Sequence, residues 1–510
     1  MTITRDNKHL LIIVLLHLLV AVPLAYYLNI WADEGSSLYT TQNGFFEAFQ
    51  NTLHDEKQAP LYFLILSIWR EVNGSIFFAR LLSILCSILA IGVFYKIVCK
   101  LWDKKTAVFA GLFFAVHPYL FWASLEIRVY SLIILLSALL VKFFIDGYLD
   151  PENEKNAKVS RYRFTATAVF ALYANYYLGF ILVGFFLVLL LLKKFDKARQ
   201  YFFRMIIVGI AIIPLLWAIK MQFAVNTGGH FQATDPVEGL RILWGHFLTF
   251  VLPTEIHTPE HQTAISFVRI WIVRIAGLGI LAMLIIKRQL FERRILIFGI
   301  LSGVIFGFLY FAYFMLSGLY ISNRHAAVLY LPMSLFILSV VFRVIPQDAD
   351  AGSKSIRKGV VAVVAILLTA SYSYALYALY PQVIKRGDWE RVSRYIEQKE
   401  NPAQPIIIFT NYEALNLPYY YQGKNRVLPD KNFFHWNYEA EFGSAGTWTK
   451  QIEYVISVIP KDAREIWLVT ESGCQKTNGC QPLEKYIDAN YTVIDQKDFY
   501  KERVRLLRRK

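Results

Sequence analysis

Two adjacent carboxylates, Asp33 and Glu34, stand in the stretch WADEGSSLYT, directly after an apolar run long enough to cross a membrane. Ionisable groups recur at three comparable places. LHDEKQAPLYF carries His54, Asp55, Glu56 and Lys57; HPYLFWASLEIRVYS carries Glu126, Arg128 and Tyr130; LYISNRHAAVLYLP carries Arg324 and His325. Carboxylates mixed with guanidinium groups suit a reaction in which a hydroxyl loses a proton while an anionic group departs. Each group alone also fits a plainer role. An Asp-Glu pair complements a helix dipole, arginines anchor to lipid phosphates, HDEKQ makes a solvated turn before a helix begun by Pro60, and His117-Pro118 breaks a helix. Asp33 and Glu34 are also the candidate ligands for a divalent cation, although no imidazole or third carboxylate can be placed beside them from sequence. There is no CxxC pair, HExxH, GxGxxG, P-loop or nucleophile elbow.

Apolar segments must position these groups. Of 510 residues, 56% are hydrophobic and only 18% charged, the composition of a polytopic α-helical membrane protein. Windows of about 17–25 apolar residues give about eleven spans. They lie near 9–29, 76–98, 106–123, 129–148, 163–175, 178–192, 204–222, 264–286, 295–317, 326–342 and 359–379. The first has no small-residue cleavage site and is read as a retained helix. The fifth and sixth form a tight hairpin around ANYYLG. PLYFLILSIWREVN, in the first long loop, is apolar but too short to cross and is expected in the interface.

The formal charge of +15 sits in short clusters between spans, which point to lipid rather than nucleic acid. Lysines and arginines crowd the loops of one side. The other side carries only Lys57, Arg70, Arg80, Arg128, Arg241 and Arg324 ahead of the tail. The positive-inside rule then puts the N-terminus in the cytoplasm and the four ionisable groups on the outer face. Polar groups at membrane depth are costly and tend to mark a site, and their shared side favours one here. With an odd number of spans, residues 381–510 also lie outside, after a membrane domain of residues 1–380. This tail reads as a small α/β domain: RGDWERVSRYIEQK has a helix pattern, and QPIIIFTN, REIWLVTE and NYTVIDQ have strand patterns. Cys474 and Cys480 could close a small disulfide loop there, with a free pair as the alternative, while Cys86 and Cys99 fall in an apolar span and read as packing residues.

WADEGSSLYT, QAPLYFLILSIWREVNGSIFFARLLSIL, HPYLFWASLEIRVYSL, ALYANYYLGF and SNRHAAVLYLP resemble, in order, the integral-membrane glycosyltransferases of the family-39 type, within the GT-C superfamily. That group includes the protein O-mannosyltransferases and the bacterial aminoarabinose transferase of lipid A. The resemblance covers roughly residues 9–345 and extends weakly to GDWERVSRYIEQ. It implies a bacterial inner-membrane enzyme that moves a sugar from a polyprenyl monophosphate to a lipid, glycan or protein hydroxyl outside the membrane, with inversion. Asp33 then matches the first-loop acid, the general base, and Glu34 its neighbour that orients acceptor or base. Glu126 supports sugar or acceptor, and Arg128 and Arg324 contact the donor phosphate, with Tyr130 and His325 beside them as substrate-binding candidates. One departure stands out: where the family has His or Lys followed by Pro-Pro-Leu, this chain has Gln58-Ala59-Pro60-Leu61, so Lys57 or His54 would supply the positive charge. The competing readings are a transporter or flippase of a lipid-linked precursor, which would spread polar residues through the mid-membrane, and a polymerase or ligase of surface polysaccharide.

Overall fold

A computed structural model of the chain describes residues 8–56, 58–225, 292–315, 324–344, 351–385, 387–409, 416–429, 447–471 and 480–510, with isolated positions between 226 and 291 and at 474. The eighth expected span, Arg241 and Lys57 lie outside the described residues.

The N-terminal part is helical: α1 Lys8–Tyr27, α2 Ala32–Thr40, α3 Phe45–Asn51, a π-turn Thr52–Glu56, α4 Leu61–Val72, α5 Ile76–Leu101, α6 Lys104–Ala115, α7 Pro118–Leu125 and α8 Tyr130–Phe144, which runs into a second π-turn Ile145–Leu149. Then follow α9 Glu154–Ala174, α10 Leu178–Leu191, α11 Phe195–Ala211, α12 Ile213–Val225, α13 Arg293–Met315, α14 Ala327–Val344 and α15 Ala351–Leu379. Among the described residues, four helices are long and apolar enough to cross a membrane, or six if two bent pairs each count as one. The chain is a multi-pass membrane protein.

Two of the expected spans are bent. Residues 106–123 divide into α6 and α7 at 55°, and 204–222 into α11 and α12 at 54°. At the first break Pro118 cannot donate to the preceding turn, and the His117 Nδ1 accepts the Tyr119 amide at 3.1 Å, starting a new helix. His117 therefore does break a helix. Elsewhere starts follow ordinary capping: Ser75 accepts from the Phe78 amide at 3.2 Å and Asp103 from Thr106 at 2.9 Å. Close helix approach uses small residues. A Cβ on Gly184 would stand 2.9 Å from Leu301 Cδ2, the packing expected where lipid removes the hydrophobic drive between helices. The interfacial expectation for PLYFLILSIWREVN corresponds to α4, which buries Tyr62, Phe63 and Leu66 while Ile68 and Val72 stay exposed.

The tail contains β1 Ile406–Phe409, β2 Val427–Leu428, β3 Glu465–Glu471, β4 Tyr491–Asp498 and β5 Glu502–Arg509, in sheet order β2-β1-β3-β5-β4. β1 pairs parallel with β2 and β3, while β5 is antiparallel to β3 and β4. Helix α16 Trp389–Lys399 packs Trp389, Val392 and Ile396 on one face of this sheet; α17 Thr447–Ser457 and α18 Gln481–Asn490 pack Ile452, Val455, Leu483 and Ile487 on the other. All three strand patterns read from sequence form strands. β5, ERVRLLRR, was not expected: its arginines pair with Asp498 and Glu465 on neighbouring strands and with Glu484 on α18, which hides its alternation. Cys474 and Cys480 are disulfide-bonded.

Candidate active site

The site is two layers of paired charges at the end of the bundle where α2 begins, the inner one wholly buried and the outer one open along one edge. Trp31 has extended backbone and its carbonyl accepts the amides of Glu34 and Gly35 at 2.9 Å, so the acidic pair falls in the first turn of α2. The pair does complement the helix dipole. Adjacent residues on a helix diverge by about 100°, and these two carboxylates enter different layers.

The inner layer comprises Glu34, Glu126, Arg80 and Lys385, all buried. Arg80 is one arginine in a 26-residue apolar helix. Its five N–H groups are all used. Nε and Nη2 donate to Glu34 at 3.2 and 3.0 Å, and Nη1 and Nη2 donate to the Ala25, Leu28 and Asn29 carbonyls at 3.0, 2.5 and 2.8 Å. Arg80 thus satisfies carbonyls at the end of α1 while neutralising Glu34. Lys385 Nζ reaches Glu34 Oε2 at 2.8 Å, Glu126 Oε1 at 3.3 Å and the Leu125 carbonyl at 2.7 Å. Trp31 Nε1 donates to Glu126 Oε2 at 2.6 Å, and the Ile127 amide donates to Glu34 Oε1 at 3.0 Å. Burial works to raise the Glu34 pKa, but Arg80 and Lys385 outweigh it and hold the carboxyl below its ordinary range. Replacing Glu34 by Gln leaves Arg80 and Lys385 against Glu126 alone. That substitution should cost about 3–5 kcal/mol, seen as a lower unfolding midpoint of the detergent-solubilised protein.

The outer layer comprises Asp33, Glu56, Arg128 and Arg324. Arg128 Nη1 donates to Glu56 Oε2 at 2.7 Å and to Ser37 Oγ at 2.9 Å, and its Nη2 lies 3.8 Å from Asp33 Oδ2. Arg324 Nη1 donates to the same Asp33 oxygen. Glu56 also accepts from Ser36 at 2.7 Å and Thr40 at 3.3 Å. Burial opposes charge on Arg128, but Glu56 and Asp33 outweigh it and hold its pKa well above the ordinary arginine value; Asp33 does the same, less strongly, for Arg324. The Arg128 Nε is buried with no partner among the described residues. The outer layer is open only at Asp33 and Arg324, since the Arg128 and Glu56 side chains are buried. The Asp33 and Arg324 side chains are 21% and 33% exposed, against 0% for Glu34 and 3% for Lys385.

The structure therefore brings Asp33, Arg128 and Arg324 together, with Tyr130 close to Arg128 in the chain and stacked on Trp122 at 4.6 Å. Glu34 and Glu126 lie behind them, with oxygens engaged by Arg80, Lys385 and Trp31 rather than facing a reactant. His325 follows Arg324 and meets Tyr177 edge-on at 5.9 Å. His54 is exposed on the π-turn that carries Glu56. The backbone carbonyl at the departing position, Gln58, accepts from Gln222, which accepts from Tyr176 of the ANYYLG segment.

Ser37 and Lys385 escaped sequence reasoning, while Arg80 and Glu56 stand out there as outer-side charges but with no role in the site. A lone arginine in an apolar helix is a signal that could have singled out Arg80. Lys385 sits in an ordinary-looking basic stretch and gives none. A divalent cation does not fit Asp33 and Glu34. Their carboxylates occupy different layers and are already matched by cations, and no cluster of three or more His, Cys, Asp or Glu suited to a metal occurs among the described residues.

Comparison with known proteins bears on the overall fold. No family model matches the sequence, and no curated protein does. Solved structures do match. ArnT from Cupriavidus metallidurans in the apo state aligns at 15% identity with a TM-score of 0.57, covering 97% of each chain. The same protein bound to undecaprenyl phosphate aligns at 14% identity and a TM-score of 0.59, covering 98% of each. The chain shares the overall fold of this protein. The apo oligosaccharyltransferase of Archaeoglobus fulgidus is similar at 12% identity and a TM-score of 0.51, over 96% of this chain and 73% of that one.

Proposed function

We propose that this protein is a glycosyltransferase that moves a sugar from a polyprenyl-phosphate donor to an acceptor hydroxyl at the outer face of the membrane, with inversion at the anomeric carbon. One observation carries the reading: a partly exposed carboxylate, Asp33, held between the guanidinium groups of Arg128 and Arg324 at one end of an apolar bundle. The fold shared with ArnT supports it, and so does a structure of that fold bound to undecaprenyl phosphate.

The donor phosphate enters as an anion and is bound by Arg324 and by Arg128 Nη2, the groups that face Asp33. It competes with Asp33 for the same donors. The carboxylate is thereby released to accept a hydrogen bond from the acceptor hydroxyl. The acceptor oxygen attacks the anomeric carbon, its proton passes to Asp33, and the bond from that carbon to the phosphate oxygen breaks. The electron pair leaves on the polyprenyl phosphate, whose charge the arginines hold in place. Glu56 fixes Arg128, and Glu34 and Glu126 act from behind as positioning groups. The acceptor is a lipid, glycan or protein hydroxyl.

The charge distribution supports an outer placement. Arg80 and Lys100 lie twenty positions apart on α5, about 30 Å. Beyond Lys100 the far end gathers Lys142, Arg161, Lys194, Arg293 and Arg294. We assign that end to the cytoplasm, residues 1–380 to the membrane catalytic domain and 381–510 to an outer domain. Lys385, at the start of the tail, contacts Glu34 and Glu126, which supports this assignment.

Donor binding tests the phosphate assignment without turnover. Arg324 is partly exposed, so Arg324→Ala should leave the unfolding midpoint nearly unchanged. It should weaken polyprenyl-phosphate binding roughly tenfold or more, as expected for loss of a charge-assisted contact. Titration into nanodiscs reads this directly. Unchanged affinity would remove Arg324 from the phosphate site.

A further inference from the structure

We propose that Lys385 is a positioning residue for Asp33 and Arg128, and that the C-terminal domain is thereby a structural part of the active site. The inference deepens the glycosyltransferase reading and rests on it for its kinetic consequence alone.

Lys385 follows the last helix of the bundle, α15, yet its ammonium lies among groups from the first and second outer loops. Three acceptors take it: Glu34, Glu126 and the Leu125 carbonyl. Arg80 cannot stand in for it. All five Arg80 N–H groups are committed to Glu34 and to three carbonyls, and none goes to Glu126. Without Lys385 two buried carboxylates would face one cation.

The tail also grips the backbone that leads into α2. Asn29 Oδ1 accepts the Lys385 amide at 2.9 Å, and its Nδ2 donates to the Gly387 carbonyl. The Ile30 amide donates to the Tyr420 hydroxyl at 2.6 Å. Gly387 has φ +109°, and a Cβ there would stand 2.7 Å from Trp389 Nε1, so the turn that presents Lys385 requires glycine. The consequences reach both reacting layers. Glu34 is the neighbour of Asp33, and its second oxygen holds the amide of Ile127, the neighbour of Arg128. Fixing Glu34 fixes the backbone of both.

The test compares full-length wild type, Lys385→Met and the double variant Lys385→Met/Glu126→Gln, which restores charge balance. Hydrogen exchange of residues 30–40 is followed in detergent, together with kcat and the donor KM. Lys385→Met should speed exchange in this segment at least about tenfold and lower kcat by more than it changes KM. The double variant should recover a large part of both, beyond what independent effects would give. Wild-type exchange in Lys385→Met, or a double variant as poorly protected as the single one, would overturn the proposal. Faster exchange in the single variant, reversed in the double, combined with a wild type that transfers no sugar from any polyprenyl phosphate, would uphold the positioning role and defeat the glycosyltransferase reading instead.

Discussion

Asp33→Asn should reduce sugar transfer roughly 10²–10⁴-fold, the range for loss of a general base, while donor binding stays within a few fold of wild type. The amide keeps the shape of the side chain and can still accept a hydrogen bond from Arg324, but it cannot take the acceptor proton. The fold should hardly notice. Asp33 is 21% exposed and its partner Arg324 33%, and exposed pairs contribute about 0–1 kcal/mol. The variant should therefore elute and unfold like wild type, so that its defect is chemical. Pre-steady-state transfer with bound donor separates the two effects.

Arg128→Ala should fail in both respects. Its guanidinium is buried and holds Glu56, Ser37 and Asp33 together. Removing it strands the Glu56 carboxylate at 3% exposure, which costs about 3–5 kcal/mol, and removes a phosphate ligand as well. Arg128→Lys separates the contributions. A lysine can answer Glu56 but cannot also span Ser37, Asp33 and the donor phosphate with a planar fork. The lysine variant should recover most of the unfolding midpoint and little of the transfer rate. An Arg128→Ala protein as stable as wild type would mean that Glu56 finds another partner.

The apolar helices and the strands β1, β3 and β4 were legible because they rest on local patterns. Long apolar runs, the Pro118 break and the buried β1 and β3 runs each declare themselves within a dozen residues. The outer layer was half legible: Asp33, Arg128 and Arg324 stood out as scarce charges at the ends of apolar segments. Glu56 was masked by its neighbours in HDEK, where any of four residues could be the one turned inward. The inner layer was illegible for a different reason. Lys385 is separated by 351 positions from Glu34, and no periodicity links a tail lysine to a first-loop carboxylate. Glu34 and Glu126 were read as facing the substrates because sequence shows a carboxylate but not the arginine or lysine that neutralises it. β5 was missed because charged side chains paired along a sheet do not alternate with apolar ones as a half-buried strand normally does.

The central claim is that Asp33 takes a proton while Arg128 and Arg324 receive the departing phosphate. Single-turnover transfer in proteoliposomes tests it most directly. The donor would be an isotope-labelled polyprenyl-phosphate sugar, offered with lipid, glycan and peptide hydroxyl acceptors to wild type and Asp33→Asn. The account predicts an inverted glycosidic product and free polyprenyl phosphate from wild type, and donor binding without product from the variant. Full transfer by Asp33→Asn, or movement of the intact donor across the bilayer with no bond cleaved, would contradict it.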